Sequence, residues 1–169
     1  MATTGLLIVA SAVFIGCGSM NKPQNTKYPV FKELSAEDSA LLDQQRAVVA
    51  SAARKRYGIA ELSHKEDDLP TLQRLINDHV FEKTQTYELQ CLGVAFGDVL
   101  SSRYPLKWAM VTDEYGTDPT LRYKMTTIQL NALTMISKRI ERGEPVDVEH
   151  LFKQTEQELA RFEKQLSEE

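Results

Sequence analysis

The sequence predicts an α+β fold, mostly helical, with about five helices around a central apolar one and a small antiparallel β-hairpin packed against them. Three observations predict it. Apolar residues recur at three- and four-residue spacing in several stretches after Ser35. One stretch, Thr84 to Ser102, is apolar nearly all the way round, the pattern of a helix buried on every side. Between Trp108 and Thr127 the period changes to two on either side of a polar turn. A chain of 169 residues with 42% hydrophobic and 26% charged residues has the size and composition of one folded domain, which excludes wholesale disorder.

Each element has its own warrant. Ser35-Ala36-Glu37-Asp38 is shaped as a helix start, with Ser35 as N-cap and acids in the first turn. Leu41, Leu42, Val48, Val49, Ala52, Ala53 and Tyr57 then form one face, and Asp43, Gln44, Arg46, Arg54 and Lys55 the other. Gly58 takes the left-handed position that closes the helix. His64-Lys65-Glu66-Asp67-Asp68 reads as a solvated loop, with Asp68 capping a short helix whose first turn holds Pro70. Its inner face is Leu69, Leu72, Leu75, Ile76 and Val80. The central helix follows, bearing Leu89, Cys91, Leu92, Val94, Ala95, Phe96, Val99 and Leu100. Gly93 and Gly97 leave one side of it bare. Each glycine costs about 1 kcal/mol relative to alanine, so a close-packed backbone is expected there.

Pro105 ends that pattern. Trp108 to Thr112 reads as a strand and Asp113 to Pro119 as a turn. Thr120 to Thr127 is the return strand, with Leu121, Tyr123 and Met125 on one face and Arg122 and Lys124 on the other. Asn131 caps a helix bearing Leu133, Ile136 and Ile140, closed by Lys138, Arg139, Arg142 and Gly143. Pro145 and Asp147 start the last helix, whose stripe is Val148, Leu151, Phe152, Leu159, Phe162 and Leu166. That stripe serves a core or a partner equally well, so the oligomeric state stays open.

The N-terminal region points to an envelope location. Gly5 to Gly16 is uncharged, and the first charged side chain is Lys22. Twelve helical residues rise about 18 Å, short of the roughly 30 Å hydrocarbon layer, so the stretch suits a secretory leader better than a spanning helix. Phe14-Ile15-Gly16-Cys17 resembles a bacterial lipobox, in which a small residue precedes a cysteine that takes lipid on its thiol and becomes the new N-terminus. Met-Ala-Thr-Thr at the start lacks the usual Lys or Arg, and Phe14 stands where Leu is commonest. The resemblance implies a leader over 1–16, a lipidated Cys17 with a flexible tether over 17–34, and one α+β domain over 35–169. Palmitate-type chains on Cys17 would make the membrane a partner. Gly18 beside the cysteine favours the periplasmic face of an outer membrane in a Gram-negative host.

A second resemblance lies further along. Leu72-Gln73, Leu89-Gln90-Cys91-Leu92-Gly93-Val94-Ala95-Phe96-Gly97-Asp98-Val99-Leu100, Trp108, Val111, Asp113-Glu114-Tyr115-Gly116 and Leu121-Arg122-Tyr123 follow one another. With Ile136-Ser137-Lys138-Arg139-Ile140-Glu141-Arg142-Gly143-Glu144 they resemble the bacterial family called domain of unknown function 3806, roughly from Asp68 to Leu151. The resemblance implies a small α+β domain and no activity.

Chemistry-bearing residues are sparse. Twenty Lys plus Arg against twenty-four Asp plus Glu gives a net charge of −4, which argues against a nucleic-acid partner. Two cysteines exclude a disulfide framework or a zinc knuckle. The three histidines, His64, His79 and His150, match no metal spacing, and the turn acids Asp113, Glu114 and Asp118 lack the order of a calcium loop. No metal or cofactor is expected. Cys91 reads as a buried structural thiol, and Gly93 and Gly97 are followed by no phosphate-loop Lys. Trp108, Asp113, Glu114, Tyr115, Arg122, Tyr123, Lys138, Arg139 and Arg142 mix aromatics with both charges, a composition common in binding patches. The leading expectation is a lipid-anchored envelope protein that binds another protein or a wall component through them. One alternative is a small envelope hydrolase pairing Asp98 or Asp78 with His79. Another is an intracellular adaptor with an unprocessed N-terminus.

Overall fold

The computed structural model describes residues 29–168, so the expected leader, Cys17 and the first part of the tether lie outside the described residues. Strand β1 (Val30–Lys32) leads into helix α1 (Ala36–Tyr57), then a 3-10 turn (Glu66–Asp68), α2 (Leu69–Asn77) and α3 (Thr86–Arg103). The sheet strands β2 (Leu106–Asp113), β3 (Gly116–Tyr123) and β4 (Gln129–Leu130) come next. Two short helices, α4 (Ala132–Met135) and α5 (Ser137–Glu141), precede the long α6 (Val148–Glu168). The fold is α+β, as the sequence predicts. Among the described residues, no helix is long and apolar enough to cross a membrane.

α1 begins where its sequence says. The Ser35 hydroxyl accepts from the Asp38 N–H at 3.1 Å, and the Asp38 carboxylate accepts from the Ser35 N–H at 2.9 Å. This reciprocal cap holds the Asp38 carboxyl below its usual range, chiefly through the backbone bond. α1 buries Leu42, Gln45, Val49 and Ala53, and Leu41 stays exposed.

α3 is the centre of the molecule. Every residue from Cys91 to Leu100 is buried, including the two glycines. A Cβ on Gly93 would run into the carbonyl oxygens of Leu133 and of Ala132, the latter at 2.6 Å. A Cβ on Gly97 would meet the Trp108 ring. The bare side is therefore where α4 and β2 close onto α3, and that contact compensates two unfavourable helix residues.

The hairpin is longer and its turn tighter than the spacing predicts. β2 pairs with β3 from Leu106↔Tyr123 to Asp113↔Gly116, leaving Glu114 and Tyr115 as a two-residue turn. Asp113 makes that possible by accepting from the N–H groups of Tyr115 and Gly116 at 2.8 and 3.2 Å. Pro119 is tolerated inside β3 because β4 reaches only Leu121 and Arg122, leaving an open edge beside it. β3 ends at Tyr123; Lys124 turns through a left-handed φ of 49° and carries Met125 into solvent, 83% exposed. Met125 thus leaves the apolar face it was expected to share with Leu121 and Tyr123.

Two further differences are informative. The end of the expected tether pairs as β1, with Val30–Lys32 opposite Met110–Thr112, which makes the sheet four-stranded in the order β1-β2-β3-β4. Phe31 holds it there, its ring under the Arg122 guanidinium at 4.3 Å. The single helix expected after Asn131 divides at Ile136 into α4 and α5. α6 buries Val148, Leu151, Phe152 and Leu159 against the core, with Phe162 partly buried; the Leu166 side chain is outside what the structure describes.

Gly93→Ala should lower stability by about 1–3 kcal/mol, because a collision with backbone outweighs alanine's better helix propensity. Urea unfolding followed by circular dichroism measures it, and an unchanged midpoint would show that α4 can retreat from α3.

Candidate functional site

Two places concentrate chemistry. The first is Asp98, on the last turns of α3 and only 8% exposed. Its Oδ1 accepts from Arg46 Nη2 at 2.8 Å and from Trp108 Nε1 at 2.9 Å. Its Oδ2 accepts from Arg46 Nε at 2.7 Å and lies 3.1 Å from His64 Nδ1. An ionised carboxylate offers about four acceptor positions, so this one is full. A carboxylate cannot donate, so the proton in the His64 contact sits on Nδ1. Arg46 is drawn from the polar face of α1, and its guanidinium is held above its ordinary pKa mainly by the hydrogen bond to Asp98. Trp108 reaches Asp98 because Gly97 has no side chain to keep the indole away.

His64 is placed by a second buried acid. Asp68 does not cap α2 as the sequence predicts; the 3-10 turn ahead of it puts Asp68 itself in helical geometry. Its carboxylate turns back to accept from the N–H groups of Ser63 at 3.0 Å and His64 at 2.6 Å. His64 is thereby held at φ 57°, a left-handed conformation uncommon outside glycine. The ring itself is half-exposed.

The second place is a cleft of about 660 Å³ between α2, the first turns of α3 and the α5–α6 connection. Leu75, Ile76, Leu89, Leu92, Ile140 and Val146 line it, with Phe81 at its edge. His79, Glu82, Lys83 and Glu144 supply the polar rim. Its geometry rests on two devices. The Gln73 side chain donates to the Val146 carbonyl at 3.0 Å and accepts from the Val148 N–H at 2.8 Å, fastening the start of α6 to α2. At the end of α2, His79 N–H bonds to Ile76 O and Val80 N–H to Leu75 O, both at 3.1 Å. That is a Schellman close with His79, at φ 48°, in the position glycine usually takes. Val80 and Phe81 then separate the cleft from an apolar groove on α1 lined by Ala47, Val48, Ser51 and Ala52.

The residues named from the sequence do not form one patch. Trp108 turns inward to Asp98. Tyr123 is 1% exposed and donates to Glu163 of α6. Arg122 closes the β3–β4 turn by donating to the Thr126 and Met125 carbonyls, and Arg139 donates to the Met135 carbonyl. Asp113 shapes its own turn. Glu114, Tyr115, Lys138 and Arg142 remain exposed. Asp78 accepts from the Tyr57 hydroxyl at 2.9 Å, and the cleft that His79 lines contains neither Asp98 nor His64. Cys91 is fully buried, and burial followed by the nearby Glu88 pushes its thiol up to about 11. Among the described residues, no group of three or more His, Cys, Asp or Glu is placed to hold a metal ion. Sequence reasoning missed Arg46, which reads as solvated helix surface, and His64, which sits in an acidic run.

A family model described as "Domain of unknown function (DUF3806)" matches residues 68–152, half of the chain. No curated protein matches. A crystal structure from Bacteroides thetaiotaomicron VPI-5482 at 1.50 Å resolution shares the fold, with a TM-score of 0.69 at 13% identity over 81% of this chain. The match takes in 50% of that structure's chain, so the present chain spans about half its length. The matched family region holds the whole cleft, together with Asp98 and Trp108; Arg46 and His64 precede it.

Two outcomes follow from this geometry. Arg46→Met, which leaves a buried carboxylate without its cation, should cost about 3 kcal/mol, and Trp108→Phe about 1.5–3 kcal/mol, both read by urea unfolding. At pH 8 a thiol with a pKa near 11 is thiolate in roughly one molecule in a thousand, so maleimide should leave Cys91 unlabelled until urea unfolds the chain. Peptide mapping by mass spectrometry reads this, and rapid labelling of the native chain would show the helix opening locally.

Proposed function

Because the chain belongs to the DUF3806 family, whose description carries no activity, we propose a function built on the cleft: a binding module of the bacterial cell envelope, held to the membrane by lipid on Cys17. The observation that carries the binding reading is the cleft itself. It is concave and lined mostly by apolar side chains with a few polar ones among them, the usual composition of a site that takes an apolar group and orients it by its polar end. The Gln73 clasp and the Schellman close fix its walls through hydrogen bonds, so little ordering is left to oppose binding.

The uncharged run from Gly5 to Gly16 ahead of Cys17 supports the anchor. Two or three acyl chains on one cysteine give stable attachment where a single chain gives only marginal binding. The partner that fits is a protein or wall component presenting an apolar group to the cleft. Glu114 and Tyr115, at the tip of the hairpin, are exposed as well.

Two measurements test this reading. Growth with an alkyne palmitate analogue should label the native chain and retain it in membranes, and Cys17→Ser should lose label and retention together; an unlabelled native chain would remove the anchor. For the cleft, 1-anilinonaphthalene-8-sulfonate should brighten on the folded protein, and Ile76→Asp should weaken its binding about tenfold without unfolding the chain. Equal binding by the variant would place the apolar surface elsewhere.

A further inference from the structure

We propose that His64 is a nucleophilic centre for small acyl esters, with Asp98 as its positioning residue. The geometry lies where the loop after α1 meets α3. Asp98 fixes the ring by its contact with Nδ1 at 3.1 Å, and in the neutral ring this puts the lone pair on Nε2. Nε2 has no partner among the described residues, and the side chain is 48% exposed, so the lone pair is open to a ligand. The fourfold-bound carboxylate cannot swing away, because Arg46 and Trp108 hold both its oxygens.

The choice of residue is the sharper observation. A left-handed backbone with one N–H aimed at Asp98 is a task for asparagine, which accepts that conformation readily and carries an amide N–H where the imidazole has Nδ1. Histidine does the same task with an added ring nitrogen. His79 is also left-handed, but its conformation closes α2, and its ring has no carboxylate partner among the described residues. His150 is exposed, and among the described residues its one hydrogen bond besides those of the helix is the backbone one to Asp147. Among the described residues, His64 alone joins an exposed ring, a buried carboxylate and a backbone pinned by a second acid.

The step balances without a further reagent besides water. Nε2 attacks the ester carbonyl, a C–N bond forms, and the alkoxide or phenolate leaves with the electron pair of the broken C–O bond. The resulting acylimidazolium keeps its Nδ1 proton against the Asp98 carboxylate. Water then attacks the acyl carbon, the C–N bond breaks, and the carboxylic acid departs. The C–N electron pair returns to Nε2, which restores the neutral ring; one proton of the water stays on the acid and the other passes to the alkoxide or phenolate.

The test uses the full chain and p-nitrophenyl acetate, following continued release of p-nitrophenolate beyond one equivalent. His64→Asn should keep the melting temperature, or raise it, and lower the steady rate about tenfold or more. Asp98→Asn should lower the rate as well. Where that variant fails to fold, diethyl pyrocarbonate on the native chain stands in, and it should modify His64 faster than His150 by mass mapping. An undiminished rate in folded His64→Asn would overturn the proposal. So would a native rate no higher than that of the urea-unfolded chain corrected for urea, or modification of His64 no faster than that of His150.

Discussion

The carboxylate of Asp98 is where three separate parts of the chain are made to agree. Arg46 comes from α1, His64 from the loop after it, and Trp108 from the second strand; none of the three is near another in sequence. Burying that carboxylate carries a desolvation cost of several kcal/mol, and only a complete set of donors offsets it. An alternative packing of α1 on α3 would leave the acid short of donors, so the cluster selects one arrangement even where its net contribution to stability is small. Gly97 is a precondition, since any side chain there would lift the indole away from the acid beside it.

Gly93 does for the helical layer what Gly97 does for the sheet. It lets the carbonyls of Ala132 and Leu133 lie against α3, which brings α4 and α5 in close and sets Ile140 and Val146 opposite Leu89 and Leu92. The cleft is the space left when short helices joined by a bent connection cover one end of a fully apolar helix. Gln73 then fastens the start of α6 beside it.

Much of this was legible in the sequence, and the parts that were not have physical reasons. Periodicity located α1, α2 and α6 because each has a buried stripe, α3 stood out as apolar nearly all round, and the glycine pair announced close packing because little else justifies glycine inside a helix. The Asp98 cluster was invisible because an Arg on a polar face and a His in an acidic loop look solvated until the fold sets them 52 and 34 residues away, against one buried acid. Asp68 misled for a similar reason. An acid before a proline-bearing helix is a good cap, but here a 3-10 turn rotated it away, toward the backbone of Ser63 and His64. The aromatic and charged residues of the hairpin looked like a patch because sequence gives residue type without direction. Trp108, Arg122 and Tyr123 each spend their polar atoms inside the domain.

The edge strand gives the domain a mechanical character. Any pull on the chain ahead of residue 29 enters at Val30, through a strand held by three register pairs and one ring under an arginine. Tension along the strand axis loads those pairs in shear and together; tension across it opens them one by one. In either direction β1 can part from β2 while α1 keeps its cap and its hold on Asp98. The strand therefore acts as a fuse in series with the folded body, yielding a short length of chain before the core feels the load.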